Sequence, residues 1–347
     1  MFRGTHFEDR RKRVAGMRAA WFEKRGPARE VLVVGDMPDP QPGPGEVRIK
    51  VQVSGLSPGD VKKRSNWQGS TTMSFSRVIP HSDGAGVIDA IGAGVPAQRV
   101  GTRVWCYGAQ SYRPFGTAAQ YVVVPTELAV ALPSSPEHDA AWLAEQAACL
   151  GIAGITGYRA VFADGPVAEL IVLVHGAVGG VGAIATQMAH RGGATVIAVV
   201  RPGQEERARV LGASHVLDAA RPDLAEAIRA LAPNGVDRIA DVDFAAHIDL
   251  NAKIVAIGAT ISSFATSVEQ PAIPYWTLGF ADTCLRLLGS DDFAPIVKAH
   301  AAAELTDALV GNALQSVIAA RVPLDRIAEA HEMVEAGVAG RVVIQID

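Results

Sequence analysis

The chain moves between two rhythms of apolar and polar positions. Val47–Val53 sets Val47, Ile49, Val51 and Val53 against Arg48, Lys50 and Gln52, the period of two of a half-buried antiparallel strand. Pro38–Glu46, with four prolines and two glycines, reads as the turn-rich connection before it. Further short strands are predicted at Gly86–Ile91, Arg103–Tyr107 and Gln120–Val124, so residues 17 to about 140 read as a compact, mostly antiparallel β domain. Glu137–Leu150 and Thr156–Ala163 read as helices. Strands at 170–175, 194–200, 214–217, 236–242 and 252–258 then alternate with helices such as Glu205–Leu211 and Asp223–Ala232. That alternation specifies a doubly wound parallel sheet. A strand at Thr283–Leu288, helices at Ala294–Ala319 and Leu324–Ala336, and a closing strand at Arg341–Ile346 complete the pattern.

The chain is organised around Leu170–Gly182, Leu-Ile-Val-Leu-Val-His-Gly-Ala-Val-Gly-Gly-Val-Gly. Five consecutive apolar residues suit a strand buried on both faces, and a glycine-dense turn leads into a helix. Such a turn lets backbone N–H groups approach a phosphate at a helix N-terminus. Ala177-x-Gly179-x-x-Gly182 is the dinucleotide fingerprint with alanine in the first glycine slot, which marks Ala177, Val178, Gly179, Gly180, Val181 and Gly182 as candidate cofactor-binding residues. Where an NAD site places a carboxylate after the second strand, this chain has Arg201. A guanidinium suits a 2′-phosphate, so NADPH is the expected cofactor, with Arg207 placed to assist.

Composition narrows the classes. The 347 residues carry 49% apolar and 20% charged residues and a formal net charge of −4, which suits a globular protein of two domains and gives no general attraction to nucleic acid. No apolar run reaches the ~20 residues of a membrane span. Cys106, Cys149 and Cys284 have no paired spacing, which points to a reducing cytoplasm. Met1–Gly16 is rich in arginine and lacks an apolar stretch, so it reads as a flexible extension or an upstream start, with Met17 opening the fold, and not as a secretory signal.

Several segments together resemble the zinc-free quinone oxidoreductase (zeta-crystallin-like) branch of the medium-chain dehydrogenase/reductase superfamily. They are Gly55-Leu-Ser-Pro-Gly-Asp60, Pro80-His-Ser-Asp-Gly-Ala-Gly86, Gly151-Ile-Ala-Gly-Ile-Thr-Gly-Tyr158, Val174–Gly182, Leu211-Gly-Ala-Ser-His215 and Gly340-Arg-Val-Val343. The resemblance implies an α/β fold, with a GroES-like β domain plus a Rossmann doubly wound parallel-sheet domain and an active-site cleft between them. It places the GroES-like substrate domain at 17–146, the NADP(H)-binding domain at 147–288 and a segment returning to the substrate domain at 289–347, after the extension at 1–16. Ser57, where the branch usually has asparagine, and Thr156 are then expected near the nicotinamide. Gly258-Ala259-Thr260 is expected to line the nicotinamide pocket at the end of the last Rossmann strand. His247 stands where an asparagine is common in Asp243–Asp249.

The zinc-dependent cousins carry metal ligands where this chain has Ser57, Ser82 and Ile152. Zinc wants Cys, His or carboxylate ligands, so no metal is expected. A quinone, or an alkene conjugated to a carbonyl, accepts hydride without a Lewis acid, whereas an alcohol/ketone couple usually needs one. The leading expectation is therefore an NADPH-dependent quinone reductase. An enone or enoyl (alkenal) reductase on the same scaffold, or a non-catalytic NADPH-binding protein, remains open. No catalytic residue is assigned; Tyr107 and Tyr112 could donate a proton, but tyrosines in a β domain are more often packing residues. The expected partners are a small quinone or conjugated carbonyl and a second copy of the chain, paired through Thr283–Leu288. Neither nucleic acid nor membrane is expected.

Overall fold

The computed structural model describes residues 16–65 and 72–347. The extension expected at 1–16 therefore lies, except for Gly16, outside the described residues. The chain begins with β1 (Gly16–Trp21), α1 (Ala28–Val31), β2 (Val33–Pro38), β3 (Glu46–Leu56), α2 (Pro58–Arg64), β4 (Asp83–Ile91), β5 (Arg103–Cys106), β6 (Tyr121–Pro125) and β7 (Ala129–Ala131). Two helices follow, α3 (Ala140–Ala147) and α4 (Ile152–Phe162). Then come β8 (Ile171–His175), α5 (Gly180–Arg191), β9 (Thr195–Val200), α6 (Glu205–Val210), β10 (His215–Asp218), α7 (Leu224–Leu231), β11 (Val236–Asp241), α8 (Phe244–Ile254) and β12 (Val255–Ser263). The chain ends with α9 (Tyr275–Phe280), β13 (Cys284–Leu287), α10 (Pro295–Val310), β14 (Ile318–Pro323), α11 (Ile327–Glu335) and β15 (Arg341–Gln345).

Two large sheets carry the fold. The parallel sheet has the order β10-β9-β8-β11-β12-β13, in which the order reverses beside β8. Ligands of such sheets bind outside the carboxyl ends of the strands at that point. Val172, Leu173, Val174, Val196, Ile197 and Ala198 are fully buried, as the two-sided apolar runs require. The second sheet has the order β14-β15-β3-β4-β5-β7, with β6 also on β3.

Three differences from the pattern reading stand out. The helix expected to run to Ala319 ends at Val310, and Ile318–Pro323 is a strand parallel to β15. The strand expected at 252–258 runs from Val255 to Ser263, because α8 occupies Phe244–Ile254. The chain between Met17 and Val47 adds a hairpin, β1 against β2.

A buried polar chain ties α11 to the second sheet. Arg64 Nε donates to His331 Nδ1 at 3.3 Å, which leaves His331 Nε2–H to donate to His81 Nε2 at 3.0 Å. His81 Nδ1–H then donates to Ser54 Oγ at 2.8 Å, Ser54 to Thr117 Oγ1 at 2.7 Å, and Thr117 to the Asp83 carbonyl at 2.6 Å. All of these side chains are buried, so each proton has a single place to go.

Candidate active site

The turn after β8 is built by its glycines. Gly176 has φ +64°, a left-handed conformation that favours glycine. A Cβ on Gly182 would lie 2.2 Å from the Gly176 carbonyl oxygen, so only glycine lets α5 close onto the strand. Gly179 occupies the N-cap of α5 and supplies no side-chain cap. The first N–H groups of a twelve-residue helix thus face the cleft without a side-chain partner, the condition under which a helix N-terminus binds an anion.

That cleft, of about 710 Å³, lies between α2, α4 and the β8–α5 turn. Ser57, Thr156, Gly179, Gly180, Val181 and Gly182 all line it. Val178 lines an adjoining pocket of about 350 Å³, together with Gly179, Gly180 and Arg201. Ala177 is buried in the core of the parallel sheet and lines neither. The Arg201 guanidinium is exposed at the pocket rim. Arg207 does not itself line that pocket; its Nη1 donates at 3.2 Å to the carbonyl of Ala339, which does.

Gly258 and Ala259 are not in the cleft, and this corrects the expectation. Val236 pairs with Val255, but Arg238, two residues on, pairs with Thr260, five residues on. The extra residues bulge around Gly258, whose φ is +77° and whose N–H bonds to Ala281 O at 2.8 Å. The glycine that resembled a strand end therefore lies in the bulge before Thr260, where continuous pairing of β12 starts. Phe264 and Ala265, just past Ser263, line the cleft in its place.

Arg341 reaches the cleft from the far end of the chain. β15 runs antiparallel to β3 with Val342 opposite Leu56, which sets Arg341 beside Ser57. Its Nη2 donates to Ser57 Oγ at 3.0 Å, while its buried Nε has no partner among the described residues. A Cβ on Gly180 would lie 3.0 Å from Arg341 Nη1, so the guanidinium covers the start of α5.

Behind Ser57 lie two buried carboxyls. Asp60 Oδ2 accepts from Ser57 N at 2.8 Å, and Asp83 Oδ2 from Ile152 N at 2.7 Å. Burial pushes Asp60 up to about 6. Burial, with Asp60 nearby, pushes Asp83 up to about 8. Ser82 Oγ is buried without a partner among the described residues. Ser57 and Ile152 thus each hold one of the two carboxyls through a backbone N–H. Of the two tyrosines, Tyr107 is buried, and Tyr112 is exposed with its hydroxyl on Asp292 at 2.8 Å.

The mouth of the cleft is bridged by charge. Lys63 Nζ on α2 lies 3.1 Å from Asp291 Oδ2, in the segment after β13. Ser111 Oγ also donates to Asp291, and Lys298 Nζ to its carbonyl at 2.8 Å.

Comparison with known proteins agrees with this geometry. The family described as alcohol dehydrogenase GroES-like domain matches residues 43–134, and that described as zinc-binding dehydrogenase matches residues 180–290. The quinone oxidoreductase of Rattus norvegicus is 32% identical over 251 residues, covering 69% of this chain and 70% of the relative. That of Homo sapiens is 28% identical over 334 residues, covering 93% and 95%. A mycobacterial protein solved in complex with NADPH is 28% identical, with a TM-score of 0.79, covering 95% of this chain and 99% of that one.

Proposed function

Because the chain belongs to the zinc-independent quinone oxidoreductase family of medium-chain dehydrogenases/reductases, we propose that it is an NADPH-dependent oxidoreductase that passes hydride to a quinone. The observation that carries this reading is the uncapped N-terminus of α5 facing a cleft beside Arg341. Glycine backbone on one side and an unpartnered guanidinium nitrogen on the other suit a pyrophosphate. The fit extends along the cleft: Arg201 stands at the 2′-phosphate end, and Ser57, Thr156, Phe264 and Ala265 stand at the nicotinamide end. The bound nicotinamide supplies the hydride.

The protein's part is placement. The Arg341 contact fixes the Ser57 hydroxyl, and Thr156 presents a second hydroxyl from α4. Both polar groups then meet the acceptor or the nicotinamide amide in fixed orientation, the condition for a short hydride path. The substrate domain is assigned to 17–146 with 289–347, and the cofactor domain to 147–288. A quinone needs no polarising metal, and neither does an alkene conjugated to a carbonyl. The serines and isoleucine at the ligand positions of the zinc enzymes favour both acceptors over a ketone.

The test is NADPH consumption against a panel of quinones, enones, enoyl thioesters and ketones. Turnover with quinones supports the reading. Turnover with enones alone replaces the acceptor. Cofactor binding without any turnover would make the chain a binding protein.

A further inference from the structure

His175, the last residue of β8, and His247, in the first turn of α8, are stacked, with ring centroids 4.0 Å apart and planes 10° apart. With Asp241 they form the one group among the described residues whose ligand atoms lie close enough to hold a metal ion. The ring geometry rejects that use. Imidazole lone pairs lie in the ring planes, and two parallel stacked planes do not converge on one ion at the ~2.1 Å that zinc requires.

Hydrogen bonds account for the cluster instead. Asp241 Oδ1 accepts from His247 Nδ1 at 2.7 Å and from Asp243 N at 2.9 Å. Its Oδ2 accepts from Asn251 Nδ2 at 2.8 Å, and Asn251 Oδ1 accepts from His175 Nε2–H at 2.8 Å. Burial would raise the Asp241 carboxyl, but the His247 hydrogen bond and the neighbouring histidines hold it below its ordinary range. Burial also pushes His175 down to about 4, which keeps it neutral. Asp241 is thus a fully buried carboxylate with no lysine or arginine paired to it among the described residues.

Two ring nitrogens of the group have no hydrogen bond among the described residues, His175 Nδ1 and His247 Nε2. His175 is buried, whereas His247 is partly exposed, with its Nε2 across the ring from the nitrogen that Asp241 engages. His247 lines the same pocket as Arg201, Gln204 and the Gly179–Gly180 turn. The charged and titratable groups around it are Asp241 from β11, Asp243 from the following turn, His175 from β8 and Arg201 from the end of β9.

We propose that His247, charged and oriented by Asp241, donates its Nε2–H to the 2′-phosphate of the cofactor, so that the phosphorylated dinucleotide binds with uptake of a proton. This rests on the NADPH reading above and adds to it a second phosphate contact, one that senses pH. Arg201 supplies a charge that is always present; His247 supplies one that arrives with the ligand.

Calorimetric titration of the full chain at pH 8, in two buffers of different ionisation enthalpy, measures the uptake. The probes are 2′,5′-ADP and 5′-AMP, which share all but the 2′-phosphate. Uptake of a fraction of a proton is expected with 2′,5′-ADP and none with 5′-AMP. His247→Gln should abolish the uptake and weaken 2′,5′-ADP about tenfold, the scale of one charged hydrogen bond. His247→Asn should match it, as a second variant in case glutamine disturbs α8. Arg201→Ala should weaken the same ligand and keep the uptake. Tight 2′,5′-ADP binding without uptake, or uptake that survives both His247 variants, overturns this inference and leaves the cofactor choice standing. Equal affinity for the two probes overturns both.

Discussion

Arg341 and Ser57, 284 residues apart, meet at 3.0 Å through Arg341 Nη2 and Ser57 Oγ. The contact follows from the register of β15 on β3 and closes the cleft between the two ends of the chain. The same guanidinium stands over the start of α5, so one side chain spans both the proposed pyrophosphate end and the hydroxyl proposed to lie near the nicotinamide.

Arg341→Ala should weaken both NADPH and NADH, since the pyrophosphate is common to them. Charge-assisted hydrogen bonds contribute about 1.5–3 kcal/mol each, which is roughly ten- to a hundredfold in Kd. Fluorescence titration of both cofactors checks this, and a loss confined to NADPH would contradict the placement.

Arg201→Ala should instead discriminate between the two cofactors. NADPH affinity should fall roughly ten- to a hundredfold on the same arithmetic, while NADH, which has no 2′-phosphate, keeps its affinity. A wild type that prefers NADH would reverse the cofactor assignment.

Stability should peak near pH 6 to 7. Burial lowers His81 to about 3 and holds His331 well below its ordinary value. Below about 6.5 the unfolded histidines take up protons that the native ones refuse, so stability is lost as pH falls. Asp83 works from the other side. Its native pKa is raised to about 8, so above the unfolded value near 3.9 the native state holds an extra proton, and stability is lost as pH rises toward 8. The slope for one proton is at most about 1.4 kcal/mol per pH unit. Denaturant titrations from pH 5 to 9 measure both limbs. Asp83→Asn should flatten the alkaline limb and steepen the acid one, where the Asp83 proton opposes the histidines. An alkaline limb that stays would exclude Asp83 as its source.

The isolated protein should contain no stoichiometric zinc. Metal analysis after gel filtration and mild chelation reads this directly, and about one zinc per chain would refute it.

The chain should be a homodimer joined through β13. That strand is one of the two edges of the parallel sheet, and Leu287 on it is 75% exposed. Trp276 and Phe280 on the preceding α9 are 71% and 83% exposed. Apolar edges of this kind are normally covered. Light scattering at micromolar concentration should give twice the chain mass, and Leu287→Lys should lower it toward one. A monomeric wild type would contradict the pairing.

What the sequence made legible was local. The apolar run before Gly176 and the glycines after it predict the β8–α5 turn, because strand burial and backbone room leave their mark on adjacent residues. Gly258 misled for the same reason: a glycine after Ile-Val-Ala-Ile resembles the end of a strand, and only pairing with Arg238 shows that the strand has barely begun. β14 was missed although Gly311-Asn312 marks the helix end, because alanines resume beyond it toward Ala319. Asp60 was quoted without a role although its hydrogen-bond partner, Ser57 N, is three residues away in a capping box. Asp83 and Arg341 were quoted among the family segments but given no role, since their partners, Ile152 and Ser57, lie far away in the chain. Their environment is made by tertiary contact alone.

The bridge from Lys63 to Asp291 has a kinetic consequence. Both groups sit at the mouth, about 30% exposed, where dissolved ions screen them. If the loop after β13 parts from α2 when a dinucleotide enters, added salt loosens that clasp. The same salt weakens the pull of Arg201 and Arg341 on an incoming phosphate. Entry and capture therefore answer to ionic strength with opposite signs, and the rate of cofactor association should pass through a maximum at intermediate salt where a simple electrostatic site would show only a decline.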